Sequence, residues 1–294
     1  MNFNQLEWFC AAYRTHSFAK AAEQTYVSRQ AFGKAIKALE DELGVELFVR
    51  DESGAHPTEA ADDIFPFAWR CLKNMQAIRQ TAAMADGRRP VITIAIADGV
   101  LESLPDGFFE TMEKDIPWVE IHVEKHFYMR CTELLEAGRV EFAIVPGPLK
   151  TEGAERVALA DEPVYLVFSR SMLDVEPESF RIDQLRGSTV FAVGKGDLSD
   201  LGLSELAARC GVDVCTNGQY NDYELILSKV RAGQGVCMAP ESVRRRIDGE
   251  DLVFVPSPDP GLRWRIDFVC IGRSCTEAER AVMDYIRGYA DSKE

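Results

Sequence analysis

The stretch from Ser17 to Glu42, SFAKAAEQTYVSRQAFGKAIKALEDE, limits what this chain can fold into more than any other. It reads as a helix, a tight turn and a second helix, which can be laid on a wheel at about 100° per residue. With Arg29 at zero, Phe32, Ile36, Leu39 and Leu43 fall between roughly 280° and 340°, a narrow apolar stripe for a core. Arg29, Gly33, Lys37, Gln30 and Lys34 fall between roughly 0° and 140°. A helix that buries one face and offers cations, an amide and a glycine on the next suits a major groove. An ordinary surface helix with solvated lysines would give the same wheel, so the neighbouring segments decide.

Upstream, Leu6, Phe9, Cys10 and Tyr13 have the i, i+3, i+4, i+7 spacing of a first amphipathic helix. Ser17 sits where an N-cap belongs, and Ala19, Ala21 and Ala22 allow a close helix approach. Ser28 caps the third helix, and Gly44 ends it where a left-handed residue is favoured. Residues 45–50, VELFVR, and 55–58, AHPT, read as two short strands around the turn DESG, a wing. Three helices and a wing form a DNA-binding layout.

These residues resemble the LysR-type transcriptional regulators. The signature FxxAxxxxSFxxAAxxxxVSxxAxxxxIxxLExxLGxxLFxR is met by Phe9, Ala12, Ser17, Phe18, Ala21, Ala22, Val27, Ser28, Ala31, Ile36, Leu39, Glu40, Leu43, Gly44, Leu47, Phe48 and Arg50. The chain departs from it at Gln30 and Phe32, where the family has proline and leucine, and in a wing carrying Asp51 and Glu52. The resemblance implies a DNA-contacting set of Ser28, Arg29, Gln30, Phe32, Gly33, Lys34, Lys37, Arg50 and His56. Arg29, Gln30 and Lys34 would read bases, whereas Lys37, Arg50 and His56 would hold phosphates.

Charge limits that reading. The chain carries a net charge of -15, so any DNA contact must come from a local patch. Even up to Pro57 the carboxylates, Glu40, Asp41, Glu42, Asp51 and Glu52 among them, outnumber the cations. Binding by one subunit should be weak and should lean on pairing.

Thr58 would cap a long helix reaching about Asp86, in which Ile64, Ala68, Cys71, Met75, Ile78 and Ala82 recur at coiled-coil spacing. In the family this linker helix pairs two subunits. Pro66 predicts a kink or a restart, and Gly87 to Pro90 reads as a polar hinge.

From Val91 strands alternate with helices, the signal of a mostly parallel sheet. Strands are expected at 91–97, 119–123, 142–146, 163–169, 189–193, 212–216, 236–239, 252–255 and 264–271. Helices are expected near 103–115, 129–138, 199–210 and 222–233, with an amphipathic helix at the end. Residues 135–148 and 230–243 are similar to the family's LxxGxLDxAIVxGP and VxxGxGVxxxPxSV patterns. They imply a two-lobed α/β effector domain like the periplasmic binding proteins, with lobe I at 91–161 and 268–294 and lobe II at 162–267.

Ligands of such sheets bind beyond the carboxyl ends of the strands. That selects Asp98, Gly99 and Val100; His126, Phe127 and Tyr128; Val193, Gly194 and Lys195; Tyr220, Asn221 and Asp222; and Pro146 with Gly147 at the crossing. Asp98 stands where the family often has a hydroxyl, which disfavours an acidic effector unless Lys195 or His126 offsets it. The aromatic residues Phe127, Tyr128 and Tyr220 suggest an aromatic or amphipathic ligand.

Other chemistry finds little support. There is no GxSxG, HExxH or Walker motif, and no cofactor motif, so an enzyme is not expected. None of the eight cysteines forms a C-x-x-C pair, and none is spaced with the histidines as metal ligands. With no secretory signal and no apolar run of about 18 residues, the chain is expected in the cytoplasm and off the membrane. The expected architecture is therefore multidomain α+β: a winged helix-turn-helix at 1–58, a linker or dimerisation helix at 59–87 and an effector domain at 91–294. The expected function is an effector-controlled transcriptional regulator. Its partners would be double-stranded DNA with an interrupted palindrome, a small-molecule effector, further copies of itself as homodimer or homotetramer, and RNA polymerase. The competing readings are a sensor without DNA affinity and a thiol switch through Cys210 and Cys215.

Overall fold

The computed structural model describes residues 1–51, 54–147, 153–193, 205, 207–209, 211–220, 222–247, 251–272 and 276–292. Glu52, Gly194, Lys195, Cys210, Asn221 and most of the helix expected near 199–210 lie outside the described residues.

The N-terminal unit holds α1 (Phe3–Thr15), α2 (Phe18–Gln24), α3 (Arg29–Leu43), β1 (Phe48–Asp51) and β2 (Gly54–Pro57). Its core is aromatic. Phe32 stacks on Trp8 and meets Phe18 edge-on, and Phe48 packs between Phe9 and Phe18. Phe32, Ile36 and Leu39 are fully buried, as the wheel requires, whereas Leu43 is exposed because α3 ends there. The expected caps form. Ser17 accepts from the Lys20 N–H, Ser28 from the Ala31 N–H, and Gly44 closes α3 at φ +72°. The wing is pinned to α1 by an Ala55 N–H···O His16 bond of 2.9 Å. Gly54 is needed for it, since its φ is +149° and a Cβ there would lie 2.5 Å from the His16 oxygen.

Glu40 has a structural role that its charge conceals. It is buried, and its Oε1 accepts the N–H groups of Leu47 at 2.9 Å and Phe48 at 3.2 Å. One carboxylate thus ties the recognition helix to the root of the wing.

Thr58 caps α4 (Glu59–Ala85) through the Ala61 N–H, and the helix runs without a break through Pro66. Its first half packs within the chain. Phe65 stacks on Tyr13 at 4.1 Å, while Ala61, Ala68 and Trp69 are buried. The uniform seam expected from Ile64 to Ala82 is therefore split. Ala68 faces inward and Ile64 packs on the core, leaving Phe67 (63 % exposed), Cys71 and Ile78 (62 %) on an open face. No described helix is long and apolar enough to cross a membrane.

The C-terminal part is two lobes of mixed sheet. Lobe I contains β3 (Val91–Ala97), α5 (Phe108–Asp115), β4 (Glu120–His126), α6 (Tyr128–Glu136) and β5 (Phe142–Pro146). Lobe II contains β7 (Thr189–Val193), β8 (Cys215–Tyr220), α7 (Tyr223–Arg231), β9 (Val236–Pro240), α8 (Glu241–Arg245) and β10 (Leu252–Pro256). Between them pass β6 (Ala154–Ser169) and β11 (Arg263–Ile271), and α9 (Glu277–Asp291) closes the chain on lobe I. The strand order is β4-β3-β5-β11-β6-β9-β7-β8, with β10 also on β6.

The main departure from expectation is β6. A strand was expected at 163–169, but it starts at Ala154 and changes partners midway. Residues 154–163 pair with β11, and from Val164 onward the strand pairs with β9 and β10. The change falls at Pro163, which has no N–H to donate. β11 stays on lobe I from Arg263.

Candidate DNA interface and effector cleft

Arg29, Gln30, Gly33, Lys34, Lys37 and Arg50 line one open depression on α3 and the wing root. Arg50 lies across it. Its guanidinium sits 4.0 Å over the Phe18 ring, and its Nη1 is 3.8 Å from where a Cβ on Gly33 would stand. Arg29, Gln30 and Lys34 are exposed at the start of α3. Lys37 is drawn toward Asp41 at 3.2 Å, a bond that raises its pKa. In the wing, His56 Nε2 meets Asp51 Oδ1 at 3.2 Å, so part of the acid that would repel phosphate is occupied locally. Glu46 is exposed on the rim of the depression.

One expected contact is corrected. Phe32 is fully buried between Trp8 and Phe18 and cannot touch DNA. Its position in the apolar stripe already pointed to the core.

In the effector domain the structure brings Asp98, Gly99, His126, Phe127 and Tyr128 together on lobe I. The Asp98 N–H donates to the His126 carbonyl at 3.0 Å, joining the ends of β3 and β4. The Asp98 carboxylate is buried, with Lys125 Nζ at 3.9 Å. Burial pushes its pKa up and nearby Glu102 and Asp222 push the same way, while Lys125 and His126 oppose them. Asp222 belongs to lobe II, so this coupling spans the two lobes. His126 Nε2 lies 3.1 Å from Glu124, and Phe127, at the N-terminus of α6, is exposed and offers the helix no side-chain cap.

Val100 is buried in lobe I, so its side chain does not line a cleft. Pro146 and Gly147 end β5 inside the protein, where a Cβ on Gly147 would overlap the Asp267 carboxylate. On lobe II, Val193 pairs with Tyr220 across β7 and β8, and Tyr220 meets Phe191 edge-on. Asp222 caps α7 by accepting from the Glu224 N–H at 2.7 Å, so that helix end is already satisfied.

Four groups here were not anticipated. Ser103 bonds Ser242 at 2.9 Å and accepts from Trp264 Nε1 at 3.0 Å, linking the lobes with the crossing strand. Glu102 Oε2 is buried with no hydrogen-bond partner among the described residues. Serines and a lone glutamate carry no sequence signal for such placement.

Comparison with known proteins settles the family. The profile for the LysR substrate binding domain matches residues 85–291, and that for the bacterial regulatory helix-turn-helix protein, lysR family, matches residues 3–62. The chain belongs to the LysR family of transcriptional regulators.

Among the LysR-family relatives, a hydrogen peroxide-inducible genes activator of Pectobacterium carotovorum subsp. carotovorum is 23% identical over 88% of this chain and 87% of its own length. The nitrogen assimilation regulatory protein nac of Escherichia coli (strain K12) is 21% identical over 85% and 81%. The fold is shared with full-length CbnR in complex with its target DNA, at TM-score 0.54, 22% identity and coverage of 99% and 100%. It is also shared with a full-length OxyR variant from Pseudomonas aeruginosa, at TM-score 0.58, 21% identity and coverage of 99% and 94%. As a LysR-family protein the chain is a DNA-binding transcriptional regulator with an effector-binding domain, not an enzyme.

Proposed function

We propose that this LysR-family regulator reads an interrupted palindrome with α3 from each of two subunits and is controlled by a small molecule held between its lobes. The cluster of Arg29, Gln30, Lys34, Lys37 and Arg50 in one depression carries the DNA part. Arg29, Gln30 and Lys34 meet base edges from the first turns of α3, Lys37 and Arg50 meet phosphates, and Ser28 holds the helix start. The open face of α4, with Phe67 and Ile78, supports pairing into a dimer, which the effector domains extend to a tetramer. The protein works in the cytoplasm, beside the DNA it reads, and RNA polymerase is its downstream partner.

The effector lies near Asp98, Gly99, His126, Phe127 and Tyr128 on one wall and Val193 and Tyr220 on the other. The change of partners along β6 and the start of β11 support lobe boundaries near Pro163 and Arg263, slightly later and earlier than the pattern alone suggests. A thiol switch has less behind it. Cys215 is exposed, but Arg209 is engaged by Asp259 at 2.6 Å and is not reserved for a thiolate.

Binding-site selection from random DNA with the full-length protein tests this reading. It should return paired, inverted half-sites, and replacing Arg29 and Lys34 together with alanine should abolish the enrichment. Enrichment that survives the double replacement, or none with the native protein, would contradict it.

A further inference from the structure

α4 does not simply hang from a hinge; a built joint fastens it to lobe I. Trp69 is buried in a slot between Gly138, after α6, and Gly272, after β11. A Cβ at Gly138 would lie 2.8 Å from the indole, and one at Gly272 would lie 3.3 Å from Nε1. Both glycines therefore make room for the ring. Arg14 of α1 lies over that ring at 4.0 Å, and Lys73 Nζ stands 5.7 Å from it.

One turn further along α4, Lys73 reaches Glu279 at 3.4 Å, with side chains 10% and 4% exposed. Glu279 is itself held by the Thr276 N–H at 3.0 Å. Breaking a buried pair of this kind leaves a charge without its partner, which makes the contact specific in geometry. Arg139 adds an ion pair to Glu7 of α1 at 3.7 Å. The joint thus engages α1, α4 and lobe I at one point.

The same slot is one end of α6. That helix begins at Phe127 and Tyr128, beside Asp98, and its following turn at Gly138 carries the Trp69 contact. A nine-residue helix moves as a rigid rod of about 14 Å. Displacement at the cleft end must therefore appear at Trp69.

We propose that Trp69 and Lys73 are positioning residues that couple the effector cleft to the DNA-binding unit through α6. The inference rests on the DNA and effector reading above. It needs no knowledge of the effector, because coupling between two binding sites is reciprocal: if the cleft acts on the DNA unit, DNA must act on the cleft.

Hydrogen exchange of the full-length protein, free and bound to the DNA it selects, tests this. In the native protein, DNA should change exchange across residues 127–138 by about fivefold or more, the usual lower range of such couplings. Trp69→Ala should still bind that DNA but lose the change in α6. Trp69→Phe should restore it, since Nε1 has no acceptor among the described residues and the aromatic body is what fills the slot. If Trp69→Ala does not fold, Lys73→Met replaces it, with the same loss expected. A purely structural role would raise exchange equally with and without DNA. Persistence of the response in the variants, or its absence in the native protein, overturns the coupling. Failure of the native protein to select any DNA instead overturns the reading beneath it.

Discussion

Glu40 separates a charge-counting view of this DNA-binding unit from a structural one. By charge alone, removing a carboxylate from the end of the recognition helix should strengthen DNA binding. In the structure its Oε1 accepts two N–H groups, from Leu47 and Phe48, at the root of the wing. Bonds to a charged acceptor contribute about 1.5–3 kcal/mol each. Because two donors share one oxygen, Glu40→Ala should destabilise the wing by about 3 kcal/mol, leaving both donors buried without an acceptor. Glu40→Gln keeps an acceptor and should cost about 1 kcal/mol. At about 1.4 kcal/mol per factor of ten, the alanine variant should speed amide exchange at Leu47 and Phe48 by roughly 100-fold. DNA affinity should fall with it, because Arg50 is carried by the strand that loosens. Unchanged exchange at those two amides, or tighter DNA binding by Glu40→Ala, would refute the reasoning.

Further outcomes follow from other sites. Gly33→Ala should stabilise α3 by about 1 kcal/mol, because the added Cβ meets Arg50 Nη1 at an ordinary 3.8 Å; a lower melting temperature would contradict this. Burial raises the Glu141 pKa above its usual 4.5 despite its bond from the Thr93 N–H. Its stabilising contribution is therefore full below pH 4.5 and lost as pH rises through the raised value. Glu141→Gln should accordingly melt higher than the native protein at pH 7, with the gap closing toward pH 4.5, and a gap independent of pH would count against it. Burial pushes Cys10, Cys131 and Cys237 up to about 12 and Cys270 to about 11, while Cys71 and Cys215 are exposed. Alkylation at pH 8 followed by mass spectrometry should mark the exposed pair well before these four, and early labelling of Cys237 would be inconsistent with the packing.

The elements that were legible in the sequence are those whose side-chain pattern and ends agree. α3 has its stripe, its serine cap and its terminal glycine, and it folds as that pattern requires. Strands with a one-sided or wholly apolar pattern, such as 91–97 and 142–146, were equally plain. Two strands were less so. The first half of β6, AERVALADEP, sets a short apolar run between paired charges and ends in proline, and β8, CTNGQY, is mostly polar. Both are held by their neighbours in the sheet rather than by their own composition. The joint at Trp69 was not legible at all, because Lys73 and Glu279 are 206 residues apart. The role of Glu40 is hidden for a related reason: a sequence shows its charge but not the two amides that the charge holds.

If a protein of net charge -15 binds DNA through a small cationic patch used twice, its affinity must fall with salt. The salt dependence of affinity for the selected DNA tests it most directly. With phosphate contacts from Lys37 and Arg50 in each of two subunits, the slope of log affinity against log salt should be about −4. Lys37→Gln should flatten it by about 2, whereas Gln30→Ala should keep the slope and relax base preference. A slope near zero, or one unmoved by removing Lys37 and Arg50, would contradict the account.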